Sequence, residues 1–255
     1  MNQIREFLDE KLIQYNSVSF IENDPISIPH SFTDKEDIEI AGFFAATFAW
    51  GNRKSIIKTS FRLMQWMDNQ PFDFIMNASL KEIETLSRFK YRTFDAIDCQ
   101  FFINSLRNIY KNHQGMEAVF TNGFEQNHDI KGAIIYFKNT FFSIPFPNRT
   151  TKHVANPATG SAAKRINMYL RWMVRNDDKL VDFGIWRKIP MHALIIPLDL
   201  HSGNSARQLG LLNRSQNDWK AAIELTLQLK LFDAEDPVKY DFALFGLGVN
   251  KDAFK

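Results

Sequence analysis

Apolar residues recur at helical spacing almost from one end of this chain to the other. Ile38, Ala41, Ala45 and Phe48 follow one another at intervals of 3, 4 and 3, behind an acidic stretch, TDKEDIE, that suits a helix N-terminus. Segments 53–69, 95–111, 129–142, 161–176, 203–212, 217–231 and 236–246 carry the same amphipathic signature. No run alternates apolar and polar residues between hairpin signals, and no internal repeat stands out. The pattern predicts an all-α fold.

A chain of 255 residues is long enough for one large domain or two small lobes. The stretch SIPFPNRTTKHVANPATG (143–160) holds three prolines and few apolar residues, so it is expected to join two lobes of a single domain spanning 1–255. A cleft between such lobes is the natural place for a ligand. A second irregular stretch, NDDKLVDFGIWRKIP (176–190), contains Phe183, Ile185 and Trp186 and is expected to pack down onto the core. The 24 phenylalanines are scattered without a motif, which reads as core filling.

Several classes are set aside at once. With Cys99 alone there is no intramolecular disulfide, no cysteine-rich zinc site and no cysteine-ligated iron–sulfur cluster. The first eleven residues carry five charges and no signal-peptide core, and the longest apolar runs, such as AGFFAATFAW (41–50), are too short to span a bilayer. The expectation is a soluble, cytoplasmic protein. Net charge is only +2, but its distribution is uneven: residues 1–40 hold three Lys/Arg against nine Asp/Glu, whereas 147–179 hold seven against two. That basic segment reads either as a phosphate-binding footprint or as a solvated helix face.

The chemistry-bearing residues fall in two places. In NPATGSAAKRINMYLRWMVR (156–175), Ile166, Leu170 and Met173 form an apolar stripe, and Lys164, Arg171 and Arg175 share the opposite face. Gly160 and Ser161 precede the helix, and small residues feeding a helix N-terminus make a seat for a phosphate. Lys164 falls in the first turn, where an ammonium opposes the helix dipole. A lysine that has given up its proton is a nucleophile. In LIIPLDLHSGNSARQLGL (194–211), Asp199 follows an apolar run and precedes a helix. There it serves as a cap, as Ser202 would, or as a functional carboxylate. A metal at Asp199 and His201 has no support from the spacing of His153 and His192.

GSAAKRIN followed by PLDLHSGNSARQLGL resembles the helix-hairpin-helix DNA glycosylases of the endonuclease III and 8-oxoguanine glycosylase superfamily. The resemblance covers roughly residues 35–60 and 156–212, and implies a two-lobed all-α glycosylase-like fold. It sets Gly160 at the hairpin glycine, Lys164 at the catalytic lysine, Asn167 at a following helix position, Asp199 at the catalytic aspartate and His201 as its companion. EIAGFFAATFAWGNRKSI (39–56) is similar to the family's early helix and turn, whose tip enters the DNA stack. Because Trp50 is in helical phase with Phe43 and expected to be buried, Asn52 becomes the wedge. A wider pattern of YLRWMVR, DFGIW, PLDLH and DPVKYDFALFGLGV looks like a widespread family of uncharacterised bacterial proteins and spans most of the chain.

The resemblance implies a DNA repair glycosylase acting as a monomer on double-stranded DNA that contains a damaged base, with no metal, no organic cofactor and no membrane. Lys164 would attack C1′ of an everted nucleotide, and Asp199 would stabilise the positive charge and accept the proton. A Schiff base would follow, with strand cleavage by β-elimination as a further step. Hairpin N–H groups with Arg165, Arg171 or Arg175 would hold a backbone phosphate. Two departures stand out. The turn reads GSA where a second glycine is usual, and residues 176–190 lengthen the interval from Lys164 to Asp199. Lys179 is closer to Asp199 but lacks a preceding hairpin. The alternative is a non-catalytic helix-hairpin-helix DNA-binding protein, in which Lys164 is a surface charge and Asp199 a cap.

Overall fold

The computed structural model describes residues 2–249. In chain order the helices are α1 (Asn2–Tyr15), α2 (Val18–Glu22), α3 (Lys35–Phe48), α4 (Arg53–Trp66), α5 (Pro71–Asn77), α6 (Leu80–Thr85) and α7 (Ala96–Asn112). They continue with α8 (Met116–Asn127), α9 (Ile130–Phe141), α10 (Lys164–Val174), α11 (Leu200–Gln208), α12 (Trp219–Lys230) and α13 (Tyr240–Val249). Among the described residues the strand content is one hairpin, β1 (Lys90–Tyr91) paired antiparallel with β2 (Phe94–Asp95). The class is all-α. The hairpin escaped the sequence reading because two residues per strand are too few to show alternation.

Helix starts are set by side chains that satisfy free amides. Asp95, Asp129, Asp199 and Asp218 each accept from a backbone N–H in the first turn of the helix they precede. Ser79 with Glu82, and Asp95 with Asp98, close reciprocal capping boxes. The acidic residues ahead of Ile38 fall as expected, with Glu36 and Asp37 in the first turn of α3. α1, α2, α5, α6 and α8 were not foreseen in the periodicity.

The chain divides into two units, Asn23–Ala155 and Met1–Glu22 with Asn156–Lys255. In Asn23–Ala155, α3 is buried on every side from Ile38 to Phe48, as a central helix must be. Phenylalanines fill the space around it. The Phe43 ring lies 5.6 Å from Phe102, 5.5 Å from Phe137 and 5.5 Å from Phe141. Phe48 meets Tyr91 at 5.6 Å and Phe94 at 5.1 Å, which anchors the hairpin to the core.

In the other unit α13 packs between α1 and α11. Leu8 from the start of the chain is buried with Leu198, Leu225, Leu244 and Leu247, and the Tyr240 hydroxyl donates to Asp9 at 2.9 Å. The chain's first helix therefore belongs with its last. Residues 176–190 do pack down: Val181, Trp186 and Ile189 are buried. The amides of Phe183 and Trp186 donate to the carbonyls of Trp172 and Met173 at 2.8 and 2.9 Å. These bonds satisfy carbonyls that the end of α10 leaves free. Among the described residues no helix is long and apolar enough to cross a membrane.

The ring cluster yields a quantitative expectation. Phe43→Ala should lower the unfolding free energy by about 3–5 kcal/mol in urea titrations, whereas Phe43→Leu, which keeps most of the volume, should cost much less. Equal losses would mean that Phe43 is held by its backbone and not by ring packing.

Candidate functional site

Lys164 and Asp199 are 35 positions apart, and local turn chemistry brings each to a helix end. The Asn156 side chain accepts from the Ala158 amide at 2.9 Å and opens a single 3-10 turn, Pro157–Thr159. Gly160 follows at φ +92, a conformation that glycine alone adopts without strain. Its carbonyl accepts from the Trp219 amide at 2.9 Å, and Ser161 pairs with Asp218, so the turn is tied to the start of α12. The Ser161 hydroxyl accepts from the Ala163 amide at 3.2 Å. Ala163 is itself left-handed at φ +49, so α10 begins at Lys164, later than the periodicity suggested, and no side chain caps it.

Asp199 is the N-cap of α11. Its Oδ1 accepts from the Ser202 amide at 2.9 Å, and its carbonyl accepts from the Asn217 side chain at 2.9 Å. The other carboxylate oxygen, Oδ2, lies 3.7 Å from Lys164 Nζ. The two readings of Asp199, cap and functional carboxylate, are therefore compatible: one oxygen does each. Both side chains are partly open, at 27% and 20% exposure.

Beneath this pair is a charge network that the sequence did not reveal. Arg171 pairs with Asp182 at 3.2 Å and with Asp241 at 2.5 Å. Arg175 pairs with Asp182 at 3.0 Å, Asp177 at 2.7 Å and Asp236 at 2.9 Å. The Arg171 guanidinium also lies 4.3 Å from the centre of the Phe242 ring. The Ser202 hydroxyl donates to Asp241 at 3.2 Å, so the residue whose amide holds Asp199 is held in turn by Asp241. Burial raises the Asp241 pKa to about 6, reinforced by Asp199 and opposed by Arg171, Lys164 and the Ser202 bond. Burial also raises Asp236, against the pull of Arg175. Burial works against the charge on Arg175, but Asp182, Asp236 and Asp177 outweigh it and raise its pKa.

Arg171 and Arg175 are thus not phosphate ligands on a solvated basic face. They are 3% and 2% exposed. The helical wheel assumed one wet side, but α10 is buried all round from Ile166 to Val174. Five of the seven cations in 147–179 (Arg149, Lys164, Arg171, Arg175 and Lys179) pair with carboxylates. Arg165 is half-buried, and burial draws its pKa down.

Gly160 and Ser161 are exposed at the turn. His201 is exposed, with Nδ1 3.1 Å from the Gly248 carbonyl and its ring edge-on to Phe245. Asn52 lies in the Asn23–Ala155 unit and caps α4, its Oδ1 accepting from the Ser55 amide at 3.2 Å. Trp50 is half-buried, not fully enclosed as its phase with Phe43 suggested, and the Arg92 guanidinium lies 4.1 Å from its ring centre. Sequence reasoning missed Asp182, Ser202 in its link to Asp241, and Asp241 itself. The stretches DFGIW and DPVKYDF were noticed without their aspartates being assigned.

The chain belongs to the family described as protein of unknown function (DUF2400), whose model matches residues 24–250. No curated protein and no solved structure matches it. The matched region contains Lys164, Asp199, Asp241 and both buried arginines.

Two outcomes test the network. Arg175→Gln leaves buried carboxylates without their counter-charge and should cost about 3–5 kcal/mol in unfolding free energy. For Asp241, a folded pKa above the ordinary aspartate value means that the folded state binds the proton more tightly. Its stabilising share is full below about pH 4 and is lost as pH rises through about 6. Asp241→Asn removes that dependence. The wild type should therefore lose up to about 3 kcal/mol relative to the variant between pH 4 and 7 in parallel urea titrations. A pH-independent difference would show that Asp241 does not titrate there.

Proposed function

We propose that this DUF2400 protein is a DNA glycosylase with a helix-hairpin-helix glycosylase-like architecture. In this reading it removes a damaged base from double-stranded DNA by attack of Lys164, with Asp199 as its proton acceptor and charge partner. The observation that carries the reading is the 3.7 Å approach of Lys164 Nζ to Asp199 Oδ2, between residues distant in sequence and placed by separate turns. Support comes from the left-handed Gly160 turn and the start of α10, which no side chain caps, as an anion seat requires. In this reading the single 3-10 turn Pro157–Thr159 would stand for the hairpin's first arm.

The chemistry runs as follows. The neutral Lys164 amine forms a bond to C1′ of the deoxyribose while the C1′–N bond breaks and its electron pair leaves with the base. Asp199 Oδ2 stabilises the positive charge at C1′ and takes the proton that the amine sheds. Opening of the sugar ring gives a Schiff base, which water hydrolyses or which loses the 3′ phosphate by β-elimination. Ser202 and Asp241 act as positioning residues, fixing the carboxylate that faces the amine.

Borohydride trapping tests this with DNA carrying an intact damaged base, because a pre-formed abasic aldehyde reacts with bystander lysines as well. Wild type should form a covalent adduct and release base, and Lys164→Gln should do neither while still binding. Asp199→Asn keeps an oxygen for the Ser202 amide, so it should lose less than about 1 kcal/mol of stability. Its base release should fall by about 10²–10⁴-fold. Release by Lys164→Gln at the wild-type rate would remove the lysine from its role, with Lys179 the next to test. No release from any lesion by a wild type that binds DNA would favour a non-catalytic binding protein.

A further inference from the structure

Arg171 and Arg175 are buried, so these two cations of α10 do not form a surface that meets a polyanion. A different surface has the required charge. In Asn23–Ala155 there are fifteen Lys/Arg and fourteen Asp/Glu, so the unit is nearly neutral, yet no acidic residue occurs between Glu39 and Asp68 or between Glu84 and Asp95. These two acid-free stretches come together in space. Lys54, Lys58 and Arg62 recur every four residues along α4 and are all exposed. The Arg62 guanidinium donates to the Lys90 carbonyl at 3.4 Å, and the Tyr91 hydroxyl donates to the Trp50 carbonyl at 2.9 Å. Those bonds hold β1 beside α4. An open groove runs between them, lined by Asn52, Ser55, Lys58, Lys90 and Arg92 among others.

We infer that this groove of α4 and the β1–β2 hairpin is a binding surface for the phosphodiester backbone of a nucleic acid. Three features select that partner. The first is segregation: exposed cations without an intervening carboxylate make a local positive field in a unit that has almost no net charge. The second is pre-organisation. The Arg92 guanidinium lies 4.1 Å from the Trp50 ring centre, and a Cβ at Gly51, whose φ is +115, would fall 2.2 Å from Arg92 Nη1. A planar fork held in this way loses little freedom on meeting a phosphate. The third is the absence of an apolar flank: of the α4 side chains only Phe61 is a large exposed hydrophobe, at 39%. An interfacial membrane helix would bury a whole apolar face. The choice of duplex DNA as the probe rests on the glycosylase reading, but the surface uses no residue of the Lys164–Asp199 pair.

The experiment measures binding of the full-length protein to a short undamaged duplex across a salt series. The proteins compared are wild type and the triple variant Lys58→Gln/Lys90→Gln/Arg92→Gln. A second patch variant, Lys54→Glu/Lys58→Glu, leaves the Trp50–Arg92 stack in place, and unfolding curves report that each protein is folded. Each phosphate contact contributes about −0.9 to the slope of log K against log salt, so the triple variant should lose about 2–3 from that slope and bind about tenfold to a hundredfold more weakly. The charge-reversed variant should weaken binding at least as much. Unchanged slopes in both folded patch variants would overturn the surface. So would a wild type that binds phosphatidylserine vesicles and not DNA. Patch-dependent binding by a wild type that releases no base would uphold the surface and count only against the glycosylase chemistry.

Discussion

Two buried guanidinium groups at the C-terminal end of α10, and the four carboxylates around them, set the terms for the Met1–Glu22 and Asn156–Lys255 unit. A buried cation without a counter-ion is prohibitively costly, so Arg171 and Arg175 dictate where the chain must deliver aspartates. Asp177 and Asp182 arrive on the irregular stretch after α10, Asp236 arrives ahead of α13, and Asp241 arrives on α13 itself. The result is a polar joint that fastens three segments at defined positions. Apolar packing of Leu8, Leu225 and Leu244 supplies the non-directional attraction, and the ion network supplies the register.

That joint reaches the candidate site through a single residue. Ser202 gives its amide to Asp199 and its hydroxyl to Asp241. A carboxylate bound through one oxygen at a helix cap has its other oxygen fixed in direction, which is what a partner for Lys164 requires. The four carboxylates outnumber the two arginines, so the network carries more negative charge than it can neutralise if all ionise. Burial raises the pKa values of Asp241 and Asp236, and the arginines oppose that rise. Protonation of Asp241 therefore bears on both the stability of the joint and the field felt by Asp199.

The parts of this protein that were legible in its sequence are those governed by neighbours in the chain. The 3.6-residue period marked α3, α4, α7 and α9, and the aspartate ahead of α11 announced a cap. The Gly160 turn and Lys164 were found because a glycine followed by a helix start is a local signal. What failed was inference about α10's environment. Periodicity shows which residues share a face, and it does not show whether a second layer of protein covers that face. Asp236 and Asp241, which settle the matter for Arg171 and Arg175, are some 60–70 residues further along. The pairing of α1 with α13 was out of reach for the same reason.

The same limit explains why charge summed along the chain does not mark the exposed charge. Residues 147–179 carry the larger excess of basic residues, but Arg171 and Arg175 are buried, and five of the seven cations pair with carboxylates. The cations of α4 and β1 are less conspicuous in the sequence because Glu36, Asp37, Glu39, Asp68, Glu82 and Glu84 flank them and cancel the count over any wide window. In the fold the groove lining carries no carboxylate, and Asp95, the register partner of Lys90, pairs with Arg149. What a surface can attract is set by the charge left unpaired within about one Debye length, roughly 8–10 Å at moderate salt, and not by the sum along the chain. A guanidinium clasped by Asp182 and one lying open over Trp50 are the same chemical group, and the distance to the nearest carboxylate decides which is structural and which is available to a partner.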